Sequence, residues 1–76
     1  MQPQNRDIKY TEYKMVIVSS NDANTNLQEF EKQMTAYLKK GYIPIGNPTY
    51  SFDNGLHQFA QAVCLLNPEY IYNTII

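Results

Sequence analysis

Ser51-Phe52-Asp53-Asn54-Gly55-Leu56-His57-Gln58-Phe59-Ala60-Gln61-Ala62-Val63-Cys64-Leu65-Leu66 decides the fold of this chain. Asn54-Gly55 suits the two positive-φ positions of a tight hairpin turn. Ser51-Phe52 on one side and Leu56 with Phe59 on the other make the stretch two antiparallel strands. The second strand, from about His57 to Leu66, places Phe59, Gln61, Val63 and Leu65 on one face. Ala60, Ala62, Cys64 and Leu66 fall on the other, because side chains alternate along a strand. The small residues of that second set are expected to let a helix approach closely.

Upstream, Thr49 to Asp53 is extended, Gly46-Asn47-Pro48 bends or bulges the chain, and Tyr42-Ile43-Pro44-Ile45 resumes it as the same strand. Pro44 has no N–H for a ladder, which puts this strand at an edge. Gly41 is the left-handed stop of a preceding helix. That helix is expected over about Asn26 to Lys40, with Leu27, Phe30, Met34 and either Tyr37 or Leu38 as one apolar stripe. Thr25 with Gln28 reads as a capping box, and Asn24 is a competing cap. Lys39 and Lys40 suit the negative end of the helix dipole.

Further upstream, Tyr13-Lys14-Met15-Val16-Ile17-Val18-Ser19 is the first strand, closed by the turn-formers Ser19-Ser20-Asn21-Asp22. Tyr13, Met15 and Ile17 share one face, Val16 and Val18 the other. The order is therefore β-α-β-β. With the proline strand at an edge, the most apolar strand takes the centre. This predicts an α+β fold: a three-stranded antiparallel sheet in order 1-3-2, one helix on one face, and an apolar C-terminal tail. The domain spans residues 10–66. Residues 1–9 read as a flexible tail. Residues 67–76, which include Tyr70, Ile71 and Tyr72, read as a C-terminal extension and candidate oligomerisation arm.

Four pieces of this sequence resemble the domain-of-unknown-function family 1737, small domains of bacteria and phages. They are Tyr13-Lys14-Met15-Val16, the polar turn Ser19-Ser20-Asn21-Asp22, Leu38-Lys39-Lys40-Gly41-Tyr42-Ile43-Pro44-Ile45-Gly46, and Asn54-Gly55 with Phe59-Ala60-Gln61-Ala62-Val63. The resemblance covers about Glu12 to Leu65. Tyr42 stands where the family usually has tryptophan, and Asn47 where it has a second glycine. The loop before the helix is longer here, and the tail after Leu66 is extra. The motifs are structural, so the resemblance implies a fold and transfers no catalytic residue.

Composition narrows the function classes. The chain has 76 residues, a formal net charge of −1, one cysteine and one histidine. An internal disulfide needs a second cysteine, and a structural zinc needs more ligands than Cys64 and His57 supply. No cofactor or metal is expected. The charge balance argues against a dedicated nucleic-acid binder. No apolar run approaches the ~20 residues of a spanning helix. The stretch Met1-Gln2-Pro3-Gln4-Asn5-Arg6-Asp7 has no apolar core, so no signal peptide and a cytoplasmic protein are expected. Seven tyrosines and many Asn, Ile and Lys point to an AT-rich genome, such as phages and low-GC bacteria have.

Catalytic constellations are not expected. His57 and Cys64 are seven apart and so face opposite sides of a strand. Glu12, Asp22, Glu29, Glu31, Asp53 and Glu69 are scattered. Ser19, Ser20, Asn24 and Thr25 at the helix start would suit either an anion or ordinary capping. The tyrosines suit interfaces.

The burial imbalance carries the functional expectation. Three two-sided apolar strands exceed what one helix can cover. The chain is expected to be a non-enzymatic interaction module that self-associates as a dimer or higher oligomer. Val16, Val18, Tyr42, Phe59, Val63, Tyr70, Ile71 and Tyr72 are the candidate interface residues. The alternatives are an oligomer that binds a small nucleotide-like anion through tyrosines and Lys9, Lys14, Lys39 and Lys40, such as a phage sponge for a host signalling nucleotide, and a weak nucleic-acid-binding domain.

Overall fold

A computed structural model describes residues 8–70 of the chain. The expected segments at residues 1–9 and 67–76 fall largely outside these residues, and Ile71 and Tyr72 lie outside them altogether.

Four elements follow in order: β1 (Tyr10–Ser20), α1 (Ala23–Lys39), β2 (Tyr42–Asp53) and β3 (Leu56–Leu66). The sheet is antiparallel in order β1-β3-β2. The hairpin turn has positive φ at both Asn54 and Gly55, the backbone twist that matches two flanking strands. Gly41, at φ +94°, closes the helix, and its N–H donates to the Leu38 carbonyl at 3.0 Å. The helix start differs from the capping-box expectation. Asp22 is the cap, and its Oδ1 accepts from the N–H groups of Asn24 at 2.9 Å and Thr25 at 3.1 Å. The helix begins three residues earlier than Asn26 because a carboxylate placed at Asp22 captures the first free amides.

The helix also lies on the other face of β3 from the one its small residues suggested. It packs on the side of Val16, Val18, Phe59, Val63 and Leu65, where Phe30, Met34 and Tyr37 join the core. Phe30 stacks on Phe59 with ring centroids 5.5 Å apart, and Tyr37 meets Tyr42 edge-on at 5.2 Å. Large rings on the helix need large partners, and those sit on this face. Leu27 and Leu38 stay exposed, so the helix stripe is narrower than the spacing implied.

Two buried amides hold the layers together. Asn26, fully buried, donates Nδ2 to the His57 carbonyl at 2.8 Å and so ties the helix start to the base of the hairpin. β2 carries a bulge: Ile45 pairs with Ala62 and Thr49 with Ala60, which leaves Gly46, Asn47 and Pro48 opposite Gln61 alone. The Gln61 Nε2 group donates to the Ile45 and Gly46 carbonyls at 3.0 and 3.3 Å. It fills the ladder the bulge interrupts.

Past β3, Asn67 is buried and pins the chain entry. Its N–H donates to the Lys9 carbonyl at 2.8 Å and its Nδ2 to that of Ile8 at 2.7 Å. Residues 8 and 9 are therefore tied to the end of β3 and are not part of a free tail. Residues 68–70 form a helical turn, and Asn67 Oδ1 accepts the Glu69 N–H at 3.1 Å.

Candidate functional site

The pairing register sorts every strand residue onto one of two sheet faces. Val16 opposes Gln61 and Val18 opposes Phe59 on the helix side. Tyr13 opposes Cys64, Met15 opposes Ala62 and Ile17 opposes Ala60 on the far side, where Ile43 and Ile45 flank the same row from β2. This open face is apolar across its width. Its centre is a floor of Ala60, Ala62 and Cys64. Its β1 rim is exposed: Tyr13 at 64%, Met15 at 48% and Ile17 at 52%.

The expected interface residues divide differently from the sequence reading. Val16, Val18, Tyr42 and Val63 are buried within the chain, with Phe59 packed against them beneath α1. Their apolar surface is already covered and is not offered to a partner. Tyr70 is half-buried in the turn after β3. The β1 residues that present apolar surface on the open face, Tyr13, Met15 and Ile17, could be read from the alternation of β1 once the helix side was known.

At the polar end of the open face, a hollow of about 200 Å³ is lined by Ser19, Ser51, Asp53, Asn54, Leu56 and Gln58. Ser19 Oγ donates to Gln58 Oε1 there at 3.2 Å. It holds one carboxylate and no nucleophile–base pair.

A second exposed feature lies on the helix side of the hairpin, where β2 runs beyond the cover of α1. Tyr50 stacks on His57 with centroids 5.9 Å apart, Phe52 lies 4.6 Å from His57, and Tyr50 lies 5.1 Å from Phe59. The Tyr50 hydroxyl and His57 Nδ1 share a hydrogen bond of 2.6 Å. Tyr50 and Phe52 are more than half exposed, so the cluster forms an aromatic shelf. The lysines that might pair with it are elsewhere. Lys39 and Lys40 stand at the far end of a helix of 17 residues, roughly 25 Å long. Lys14 Nζ lies over the Tyr42 ring at 5.9 Å and Lys40 Nζ over that of Tyr37 at 5.8 Å.

Tyr42 has a clearly displaced proton affinity. Its hydroxyl donates to the Glu12 carboxylate across β3. That bond first, then burial and the charges of Glu12 and Tyr37, push its pKa up from 10.0 to about 12. The arrangement braces the two edge strands over Leu65 and keeps the phenol neutral.

The helix start is not an open anion site. Asp22 supplies its own carboxylate to those amides, and Ser20 Oγ in turn accepts the Asp22 N–H at 3.1 Å. His57 and Cys64 stand on opposite faces, as their spacing requires. Among the described residues, no three of His, Cys, Asp and Glu converge on a common point. No helix among them is long and apolar enough to cross a membrane.

A helix-backed antiparallel sheet in order 1-3-2 with an apolar open face defines a small β-α-β-β domain of the α+β class. The chain belongs to the family described as domain of unknown function (DUF1737), whose pattern matches residues 18–65. The match contains α1, β2 and most of β3. It begins at Val18, in the last three residues of β1, so the piece Tyr13-Lys14-Met15-Val16 lies before it. No curated protein and no solved structure matches the chain.

Proposed function

We propose that this domain is a non-enzymatic interaction module that self-associates by covering its open sheet face with a second copy. The observation that supports this reading is the row Tyr13, Met15 and Ile17, large apolar side chains about half exposed beside the small floor of β3. Fully burying such a side chain is worth about 1.5–3 kcal/mol, so the half still exposed on each offers roughly 1 kcal/mol. A sheet that is apolar on both faces needs two covers, and α1 is one. We read the module as cytoplasmic. Light scattering across a range of micromolar concentrations tests the proposal: a mass at a multiple of the chain supports it, and a monomer throughout contradicts it.

A second reading is favoured by the shelf of Tyr50, Phe52 and His57: an oligomer that stacks a planar, nucleotide-like anion. Because the lysines stand at the other end of α1, the anion would meet a cation of another subunit. A thermal-shift screen against nucleotides tests this. Stabilisation by at least one nucleotide, lost in Tyr50→Ala, supports it, and no stabilisation by any of them ends it.

A further inference from the structure

Among the described residues the strand order leaves two sheet edges, and they are not equivalent. The β2 edge carries Pro44, Pro48 and the three-residue bulge opposite Gln61. Prolines and bulges are the devices that block strand addition. The β1 edge carries neither proline nor glycine over the 11 residues Tyr10–Ser20. Its only irregularity is at one end, between Tyr10 and Glu12.

Charged side chains are the other common guard of an edge, and here they are turned away from it. Glu12 and Lys14 are the two charged residues of β1. Glu12 accepts the hydroxyl of Tyr42, and Lys14 lies over the ring of that tyrosine. Tyr42 belongs to β2, on the far side of β3. Both charges therefore reach inward across the sheet, and neither guards the edge.

We propose that β1 pairs antiparallel with β1 of a second copy, with Met15 on the two-fold axis. This rests on the self-association reading and adds an edge contact to the face contact proposed there: the edge pair builds the wider sheet whose open face a further copy then covers. A two-fold partner must present the same patch, and β1 is self-complementary about Met15. That residue is the midpoint of Tyr10–Ser20, so the whole strand overlaps. Tyr13 then opposes Ile17 of the second copy, Met15 opposes Met15, and Ile17 opposes Tyr13. The three exposed apolar side chains of β1 become one six-residue row across the junction. The six strands join in one sheet with both helices on the same side. The open face doubles in area. One three-stranded face offers a footprint of only about 500 Å², from strands ~4.8 Å apart and ~3.3 Å per residue, against the roughly 800 Å² per partner of a stable interface. Edge pairing thus makes the sheet large enough to be covered.

Disulfide trapping tests it. In a Cys64→Ala background, single cysteines are placed as Met15→Cys, Tyr13→Cys, Ile17→Cys, Ala62→Cys and, on the outer side of α1, Thr35→Cys. Directly opposed residues of an antiparallel pair have Cα atoms roughly 4.5–5.5 Å apart, inside the range a disulfide spans. Met15→Cys should give covalent dimer on mild oxidation at least about tenfold faster than Thr35→Cys, because pairing raises the local thiol concentration. A mixture of Tyr13→Cys and Ile17→Cys should cross-link to the heterodimer in preference to either homodimer. If the protein is dimeric by light scattering but Met15→Cys reacts no faster than Thr35→Cys, the edge assignment is overturned and self-association stands; fast trapping at Ala62→Cys would then place the contact on the sheet face. If the protein is monomeric, both proposals fail.

Discussion

Gln61 faces the three residues by which β2 bulges away from β3, and its Nε2 donates to the Ile45 carbonyl at 3.0 Å. The same amide reaches the carbonyls of Gly46 at 3.3 Å and Ala62 at 2.9 Å. One side chain thus stands in for the ladder bonds that Pro48 and the bulge remove. Replacing it by Leu keeps the volume and leaves those carbonyls without their donor. The cost is expected to be about 1–3 kcal/mol, read as a lower urea midpoint with an unchanged slope. A Gln61→Leu variant as stable as the parent contradicts this role.

Asn26 makes the corresponding link on the other side of the core, from the first turn of α1 to the His57 carbonyl. Its Oδ1 is buried and has no hydrogen-bond partner, so the group gives stability only through Nδ2. Asn26→Asp should be worse than Asn26→Ala. It removes the donor and adds a buried charge facing a carbonyl. Thermal melts of the two variants at pH 7 check the order; Asn26→Asp as stable as Asn26→Ala contradicts it.

Asp22 is the helix cap. Asp22→Ala should destabilise the domain by about 0.5–2 kcal/mol. Thr25→Ala and Gln28→Ala, the two halves of the capping box expected from sequence, should change it by only a few tenths of that. Chemical denaturation of the three variants separates the two caps, and a larger loss at Thr25 contradicts the structure.

Tyr42 gives the domain an alkaline limit. The fold holds the phenol proton to about pH 12, whereas the unfolded chain releases it near 10. A raised folded pKa contributes stability that is fully present below the unfolded value and is lost as pH rises through the folded one. Stability should therefore decline between about pH 10 and pH 12. Tyr42→Phe keeps the ring against Tyr37, starts from a lower stability at pH 7, and should show a shallower decline in that window. Circular-dichroism melts from pH 8 to pH 12 check it, and identical pH slopes contradict it.

The topology was legible because single residues impose it. Asn54-Gly55 permits one kind of turn, Gly41 one kind of helix stop, and Pro44 excludes β2 from the centre. What escaped was decided by partners distant in sequence. The side of the sheet that takes α1 follows from Phe30 finding Phe59, and the small row of Ala60, Ala62 and Cys64 pointed the other way. Placing the helix there moved Val16, Val18, Tyr42, Phe59 and Val63 from a candidate interface into the core. The linking roles of Asn26, Gln61 and Asn67 carried no sequence signal, because their acceptors are backbone carbonyls brought within reach only once the strands have paired. Tyr50 and Phe52 gave no local sign of a shelf, since its exposure depends on where α1 stops short of β2.

Sedimentation equilibrium of the full chain beside its Met15→Lys/Ile17→Lys variant bears most directly on the central claim. Two ammonium groups on the β1 rim would make burial of that row costly while leaving the helix-side core untouched. The account predicts a multiple of the chain mass for the parent and a folded monomer for the variant. A parent that sediments as a monomer at every concentration, or a variant that associates as strongly as the parent, contradicts it.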